Sequence, residues 1–243
     1  MYFNFSNPWM IILLVIMVIE NLKYYVSTPG AFLGLLYSVP AVLIAITFHE
    51  YAHAFVADKL GDDTPRSQGR LTLNPFAHID PYGLILMLTV GFGWGKPVEI
   101  NSNNFTRKVT LRKGNALVSI AGPCMNFILA VIFSIIYGLL IRFGSNFLLT
   151  TFGTAIINIL QYIITMNVGL GVFNLIPLPP LDGSKVLLAF LPYSAREWYE
   201  RNERMLYITF LIIWITPISS MIVAPFIKII SRGLLKLIIA IAG

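Results

Sequence analysis

The chain has 243 residues, of which 57% are hydrophobic and only 12% charged, with a mean hydropathy of +0.77. These values exclude an ordinary soluble domain and an intrinsically disordered chain, and they indicate a membrane protein. The single cysteine, Cys124, excludes a disulfide-stabilised secreted fold, and the net charge of +6 does not indicate a nucleic-acid partner, because the basic residues lie in loops between apolar segments.

Five apolar segments are predicted to span the membrane. They cover residues 8–19, 31–57, 116–141 and 152–176, and a fifth begins at Met205 and is interrupted by Pro217 and Pro225. We interpret the first as a retained span, because no basic residue precedes it and no small-residue cleavage site follows it. The sequence therefore predicts an all-α polytopic membrane protein with about five to six transmembrane helices, forming a single membrane-embedded domain over residues 1–243.

The segment of residues 82–98 differs from the others, because its apolar part is short and it ends in the glycine-rich stretch 91–98. We interpret it as re-entrant, with a glycine-rich β-hairpin at its end. This interpretation places the basic loops on one side, which the positive-inside rule makes cytoplasmic. If the segment spans instead, the basic loops fall on opposite faces.

Beyond the fifth span, Lys228, Arg232 and Lys236 recur every four residues and therefore share one helical face. This pattern is typical of a helix lying at the membrane interface. Ordinary snorkelling of basic side chains is the alternative.

Two of the three histidines, His49 and His53, are four residues apart, and Glu50 follows the first. On a helix both imidazoles can bind one metal ion while Glu50 stands beside it, which is typical of zinc hydrolases. His49 lies nine residues before Asp58, the charged residue that closes the helix, which is about 14 Å at the helical rise. Ionisable residues at that depth favour a metal site. The alternative is a pair of satisfied core histidines with Glu50 protonated.

A catalytic zinc site typically takes three protein ligands and a water. Asp182 is the only other acidic residue enclosed by apolar sequence, and it follows a segment with three prolines in four positions. Irregular backbone at membrane depth is tolerated where it lines a cavity, so this segment can present Asp182 to a metal. The alternative is that Asp182 caps a helix starting near Ser184.

Several motifs follow one another over about residues 41–190. They are His49-Glu50-xx-His53, Leu71-Thr72-Leu73-Asn74-Pro75-xx-His78-Ile79-Asp80-Pro81, Gly93-Trp94-Gly95-Lys96-Pro97-Val98, Ala121-Gly122-Pro123-xx-Asn126 and Phe173-Asn174-xxxx-Pro179-Pro180-Leu181-Asp182-Gly183. In this order they resemble the prokaryotic site-2 protease family of intramembrane zinc metalloproteases, in a compact form without a sensor domain. The resemblance implies that His49, His53 and Asp182 bind one zinc ion (Zn2+) per chain and that Glu50 is the catalytic acid/base. It also implies a site that opens to the cytosol.

A peptide bond inside a transmembrane helix is shielded, so a substrate must be unwound and held extended before attack. The glycine-rich stretch suits a hairpin that offers a strand edge for this purpose, a use that the resemblance also implies. Its residues are Gly93, Trp94, Gly95, Lys96 and Pro97. A plain tight turn at the end of a short helix is the alternative.

Four further polar residues are candidates for supporting roles. Asn167 and Asn174 are seven apart on an apolar helix, and either could donate a hydrogen bond to the oxyanion or, alternatively, bond between helices. His78 could assist the site or reach the zinc, although its turn-rich loop favours a structural role. For Asn126 only the resemblance implies substrate contact, and residues 121–123 favour close helix packing.

These features together predict a zinc-dependent intramembrane endopeptidase that hydrolyses peptide bonds in transmembrane or signal-peptide-like segments of membrane proteins. The expected location is the cell membrane, multi-pass, with the active site opening to the cytoplasmic side. The expected partners are a membrane-protein substrate segment and the lipid bilayer; the oligomeric state is not indicated. A zinc or proton transporter and a catalytically idle scaffold are the competing functions.

Overall fold

The computed structural model describes residues 8–90, 93–106 and 109–243, and these are almost entirely helical. The α-helices are, in chain order, α1 (Pro8–Ser27), α2 (Ala31–Leu60), α3 (Thr64–Ser67), α4 (Pro81–Val90), α5 (Leu111–Phe143), α6 (Ser145–Leu148), α7 (Thr151–Asn174), α8 (Asp182–Phe190), α9 (Tyr193–Arg201), α10 (Glu203–Ile215) and α11 (Ile218–Ala242). Two short 3-10 turns lie at Pro75–Ala77 and Ser102–Asn104.

Among the described residues, three helices are long and apolar enough to cross a membrane, namely α2, α5 and α7. Helices α10 and α11 meet the same criterion as a pair bent by 78°, which would make a fourth, broken span or a re-entrant element. The predicted all-α, multi-pass membrane architecture is thus confirmed with three or four candidate spans rather than five to six. Helix α1 covers the predicted first span but is not one of the candidates. The ten residues of α4 extend about 15 Å, too short to cross a bilayer.

Helices α2, α5 and α7 pack against one another and form the centre of the molecule. Small side chains allow this close approach, and Ala41, Ala45 and Ala54 of α2 are fully buried. Helices α8 and α11 pack on α5. A buried apolar cluster joins α5, α7 and α11 through Ala130, Val168, Val172 and Leu234.

Helix α2 ends sharply just beyond its histidine pair. Gly61 follows it with a φ of 106°, a left-handed conformation that favours glycine, and its N–H bonds to the carbonyl of Asp58 at 3.1 Å. The chain then turns back, and the fully buried carboxylate of Asp62 accepts hydrogen bonds from Thr64, Asn101 and Asn104. These bonds fasten the end of α2 to the loop that follows the glycine-rich segment.

The glycine-rich segment does not show the predicted β-hairpin. Within the described part of the chain its β-type pairing is one antiparallel bridge, between Gly95 and Ile79, beside a 2.7 Å bond from the N–H of Lys96 to the carbonyl of His78. Part of the predicted hairpin, residues 91–92, lies outside the described residues. A Cβ added to Gly93 would lie 1.9 Å from the carbonyl oxygen of Gly83, so the segment packs directly on the first turns of α4. It is extended because it is held by a helix and a loop, not by a second strand.

Candidate active site

Three predicted metal ligands meet at the centre of the molecule. His49 and His53 lie on successive turns of α2, and Asp182 is the first residue of α8. The Nε2 atoms of the two histidines are 3.0 Å apart, and Asp182 Oδ2 lies 3.1 Å from that of His49 and 3.2 Å from that of His53. Both histidines are buried. One cation can therefore contact all three side chains.

The spacing and chemistry of these donors fit a zinc ion. A tetrahedral zinc with bonds of about 2.0–2.1 Å separates its ligand atoms by about 3.3 Å, close to the three distances above. Two imidazoles and one carboxylate leave a fourth position for water, as in catalytic zinc sites.

Hydrogen bonds fix the histidines in the tautomer that a metal requires. Nδ1 of His53 lies 2.7 Å from the carbonyl oxygen of Val118, and Nδ1 of His49 lies 2.7 Å from Oδ1 of Asn126. Because a carbonyl oxygen can only accept, each Nδ1 carries the hydrogen when the ring is neutral. The lone pairs of both Nε2 atoms therefore point to the shared metal position.

Asn126 is held in place by a chain of buried amides. Its Nδ2 donates to the carbonyl of Ala45 at 3.1 Å and to Oδ1 of Asn167 at 2.8 Å, and both asparagines are fully buried. Asn167 in turn donates to the carbonyl of Ile163 at 2.9 Å. The structure thus places both asparagines behind His49, where they orient its imidazole. The contact of Asn126 with α2 joins two helices, so it could not be read from the spacing within one helix.

The loop that carries Asp182 is fixed from two sides. A Cβ added to Gly183 would lie 2.3 Å from the carbonyl oxygen of Leu175, so the loop folds tightly over the start of α8. From α9, the hydroxyl of Tyr199 donates to the carbonyl of Pro177 at 2.9 Å, and burial raises the pKa of Tyr199 to about 12. The N-cap position of α8 is occupied by Leu181, and the Asp182 carboxylate faces the two histidines instead, so the capping alternative has no support.

Glu50 stands beside the metal ligands and faces the glycine-rich segment. Its Oε2 accepts a 3.0 Å hydrogen bond from the N–H of Val98. Gly95 lies close by, because a Cβ there would be 3.6 Å from Oε1 of Glu50. The segment of residues 93–98 is therefore part of the site's wall.

Arg70 anchors this wall, and nothing in the local sequence pattern distinguishes it. It is buried, and its guanidinium donates to the carbonyls of Ala77, Lys96 and Pro97. The bonds to the last two residues fix the backbone immediately before Val98. A basic residue placed after a polar turn carries no sign of this role in the sequence.

Gly122 packs directly against the metal ligands. A Cβ at this position would lie 2.5 Å from Nε2 of His53 and 2.6 Å from Nε2 of His49. The packing role predicted for residues 121–123 is therefore realised against the site itself. Gly122 and Asn126 are four residues apart on α5, and this spacing in the sequence indicates that they lie on the same face of the helix.

A cavity of about 290 Å³ opens beside the metal ligands. Its lining includes His49, Glu50, His53, Asp182, Asn174 and the segment from Gly93 to Val98 except Lys96. The side chain of Asn174 lines this space and donates to the carbonyl of Leu170 at 3.1 Å.

His78 does not join the metal ligands. It is fully buried, its Nε2 donates to the carbonyl of Thr72 at 2.8 Å, and burial lowers its pKa below the usual value. Its own carbonyl receives the N–H of Lys96. This arrangement matches the structural role that its loop favours.

Comparison with known proteins identifies the family to which the chain belongs. The family model described as peptidase family M50 matches residues 37–216. YwhC of Bacillus subtilis (strain 168), named provisionally as a zinc metalloprotease, is 40% identical over 84% of this chain and 92% of its own length. Rip2 of Mycolicibacterium smegmatis, with the same provisional designation, is 30% identical over 72% of this chain and 65% of its own length. No solved structure is significantly similar to the chain. The chain belongs to peptidase family M50, the site-2 type zinc metalloproteases.

Proposed function

We propose that this zinc metalloprotease is an intramembrane endopeptidase that hydrolyses peptide bonds in transmembrane or signal-peptide-like segments of membrane proteins. The observation that carries the proposal is the position of the metal ligands. His49 lies eleven residues before the end of α2, about 16 Å along a helix apolar enough to span a bilayer. A metal site at that depth acts on peptide bonds that are themselves in the membrane.

His49, His53 and Asp182 would hold one zinc ion per chain. Bound there, zinc supplies a Lewis acid for the scissile carbonyl and lowers the pKa of a water to near 7. Glu50 takes the proton of the attacking water and returns it to the leaving amine. Its bond from Val98 holds the carboxylate at the edge of the cavity, between the metal ligands and the wall that would present substrate.

The cavity wall supports extended binding of substrate. Residues 93–98 are extended and anchored by Arg70 and by the bridge to Ile79, so their backbone can pair with an unwound substrate segment. Gly93, Trp94, Gly95, Lys96 and Pro97 are the proposed presenting residues. A helix-weakening sequence in the substrate lowers the cost of unwinding, so such segments are the proposed substrates.

Asn174 is the proposed oxyanion donor. It lines the cavity on α7, opposite α2, whereas Asn167 is engaged behind His49. Its bond to Leu170 is a local one that a substrate carbonyl can replace.

The proposed orientation opens the site to the cytoplasm. Basic residues cluster at the helix ends nearest the site, namely after α2, at the start of α5 and in α8 and α9. The two basic residues Lys23 and Arg142 lie instead near the ends of α1 and α5 on the opposite side. Under the positive-inside rule the first group is cytoplasmic.

The test compares wild type with Glu50→Gln, both purified in detergent, on a panel of membrane-spanning peptides. Glu50→Gln is expected to retain its zinc, because Glu50 is not a ligand, and to lose cleavage by at least a hundredfold. Peptides with a helix-weakening centre should be cut faster than polyleucine peptides. Bound zinc without peptide product in either form would contradict the proposal and favour transport of the ion.

A further inference from the structure

Three basic side chains form an exposed stripe on α11. They are Lys228, Arg232 and Lys236, spaced four residues apart and all exposed. The opposite face of the helix packs against α5 and α7 through Leu234, Ile227 and Val223. The helix contains no acidic residue. The stripe therefore points away from the rest of the chain.

The stripe lies beside the most apolar part of α5. Helix α11 runs parallel to α5, because Leu234 shares a buried cluster with Ala130 and Arg142 donates to the carbonyl of Ile241 at 3.2 Å. A Cβ on Gly138 would likewise lie 2.9 Å from Cβ of Ile241. These contacts set Arg232 level with about residues 128–132 of α5, the middle of the charge-free run 116–141. From Lys228 to Lys236 the three cations span about 12 Å along the axis of α11, centred on this depth.

This depth is unlike that of an interfacial helix and is costly for charge. Basic residues within a membrane are rare, and they normally pair with an acid or face a water-filled cavity. No ion pair among the described residues includes a member of the stripe. None of the three lines the cavity of the active site. The part of the chain that the structure describes therefore holds no ion-pair partner for them.

We propose that the basic stripe of Lys228, Arg232 and Lys236 docks a transmembrane helix of another membrane protein that carries carboxylates at helical spacing. Opposite charges at low dielectric attract strongly, and carboxylates three or four residues apart would face the stripe in register. The stripe is separate from the catalytic residues, so this surface would recruit a partner and not perform the cleavage.

Two other occupants fit less well. A second copy of the chain would bring α11 cations against α11 cations, and its exposed α1 carboxylate, Glu20, is already paired with Lys23 at 2.7 Å. Anionic lipid headgroups lie about 15 Å from the middle of a 30 Å hydrocarbon core, too far from Arg232 at the middle.

The experiment uses the full chain in phosphatidylcholine vesicles with labelled leucine-rich transmembrane peptides. The peptides carry Glu, Gln or Lys at three central positions four residues apart, and binding is measured by energy transfer to the labelled protein. The Glu peptide is expected to bind at least about tenfold more tightly than the Gln peptide, and the Lys peptide most weakly. Equal binding of the Glu and Gln peptides to wild type would overturn the proposal without any variant.

Two triple variants locate the effect. Lys228→Gln/Arg232→Gln/Lys236→Gln should remove the preference for Glu and leave cleavage unchanged, whereas Lys23→Gln/Lys113→Gln/Arg204→Gln, which removes the same charge elsewhere, should keep the preference. Equal loss in both variants would assign the preference to net charge and overturn the proposal. Loss of the preference when phosphatidylglycerol is added to the vesicles would assign the stripe to lipid headgroups and overturn it too.

Discussion

The shape of the metal centre depends on a residue that has no side chain. Gly122 leaves room for the imidazoles, since a Cβ there would lie within 2.6 Å of both Nε2 atoms. We expect Gly122→Ala to displace a histidine and to lower zinc content and cleavage at least tenfold. Zinc per chain in the purified protein and cleavage of a membrane-spanning peptide measure the two effects.

Gly169→Ala is the matched control for this substitution. Gly169 lies inside α7, and a Cβ added there would meet nothing within 4 Å, so alanine should preserve zinc and activity and stabilise the helix by about 0.5–1 kcal/mol. Full zinc occupancy in Gly122→Ala would show that the histidines can shift without losing the metal.

At this scale the sequence predicted the three side chains that meet at the candidate metal site but not the residues that position them. His49, Glu50 and His53 follow from the helical period alone, and Asp182 follows from the need for a third ligand. Asn126 and Gly122 depend on which face of α5 meets α2, a long-range contact that no local pattern specifies.

At the scale of secondary-structure elements, the hydrogen bonds of Arg70 hold the glycine-rich segment beside the active site. Loss of charge-assisted bonds to the carbonyls of Lys96 and Pro97 costs about 1.5–3 kcal/mol. We therefore expect Arg70→Met to lower kcat/KM tenfold or more while zinc content stays unchanged, because Arg70 does not contact the ligands. Arg70→Lys should recover only part of the activity, since one ammonium cannot reach all the carbonyls.

Arg66→Met provides the comparison. Arg66 is exposed and pairs with Asp58 at 2.8 Å, and such surface pairs contribute about 0–1 kcal/mol. Equal losses of activity in the two variants would mean that Arg70 acts through overall stability and not through the segment.

A second connection between elements is sensitive to acid. Asp62 is buried, and although burial alone would raise its pKa, hydrogen bonds from Thr64, Asn101 and Asn104 lower it below the ordinary 3.8. A lowered pKa means that the folded state favours the carboxylate, so this stabilisation is present above pH 3.8 and is lost as pH falls through the folded-state pKa. Limited proteolysis of the loop at residues 99–106 should therefore accelerate in acid. In Asp62→Asn, the same loop should be cleaved rapidly already at neutral pH, and the rate of its proteolysis should depend little on acid. If acid accelerates proteolysis of this variant as much as that of wild type, the group that titrates is not Asp62.

The elements themselves were predictable where hydrophobic runs are long. Helices α2, α5 and α7 coincide with three predicted spans, since length and apolar composition determine them directly. The backbone of the glycine-rich segment was not predictable from the sequence, because it depends on Arg70 and on contacts with α4. The break between α10 and α11 contains Pro217, but one proline in the sequence does not specify the 78° angle between the two helices.

At the scale of the whole molecule, the proposed metal would join parts of the chain that are far apart in sequence. His53 and Asp182 are 129 residues apart, and a zinc ion bound between them would tie α2 to the Pro-rich loop and α8. An ion that binds only the folded state stabilises it by about 2.7 kcal/mol at a hundredfold excess over Kd. For a chain of this size that corresponds to about 5–10 °C in Tm.

Chelation should therefore lower the Tm of the purified protein by this amount, and added zinc should restore it. The matched variant is His53→Ala, which removes one ligand and should unfold at the same temperature with and without chelator. Glu50→Gln should behave as wild type, because it keeps all three ligands; this separates loss of the metal from loss of catalysis. A Tm that does not respond to chelator in wild type would mean that His49, His53 and Asp182 hold their positions through the hydrogen bonds of Asn126, Val118 and the Asp182 loop alone. In that case the metal would serve the reaction and contribute nothing to the fold.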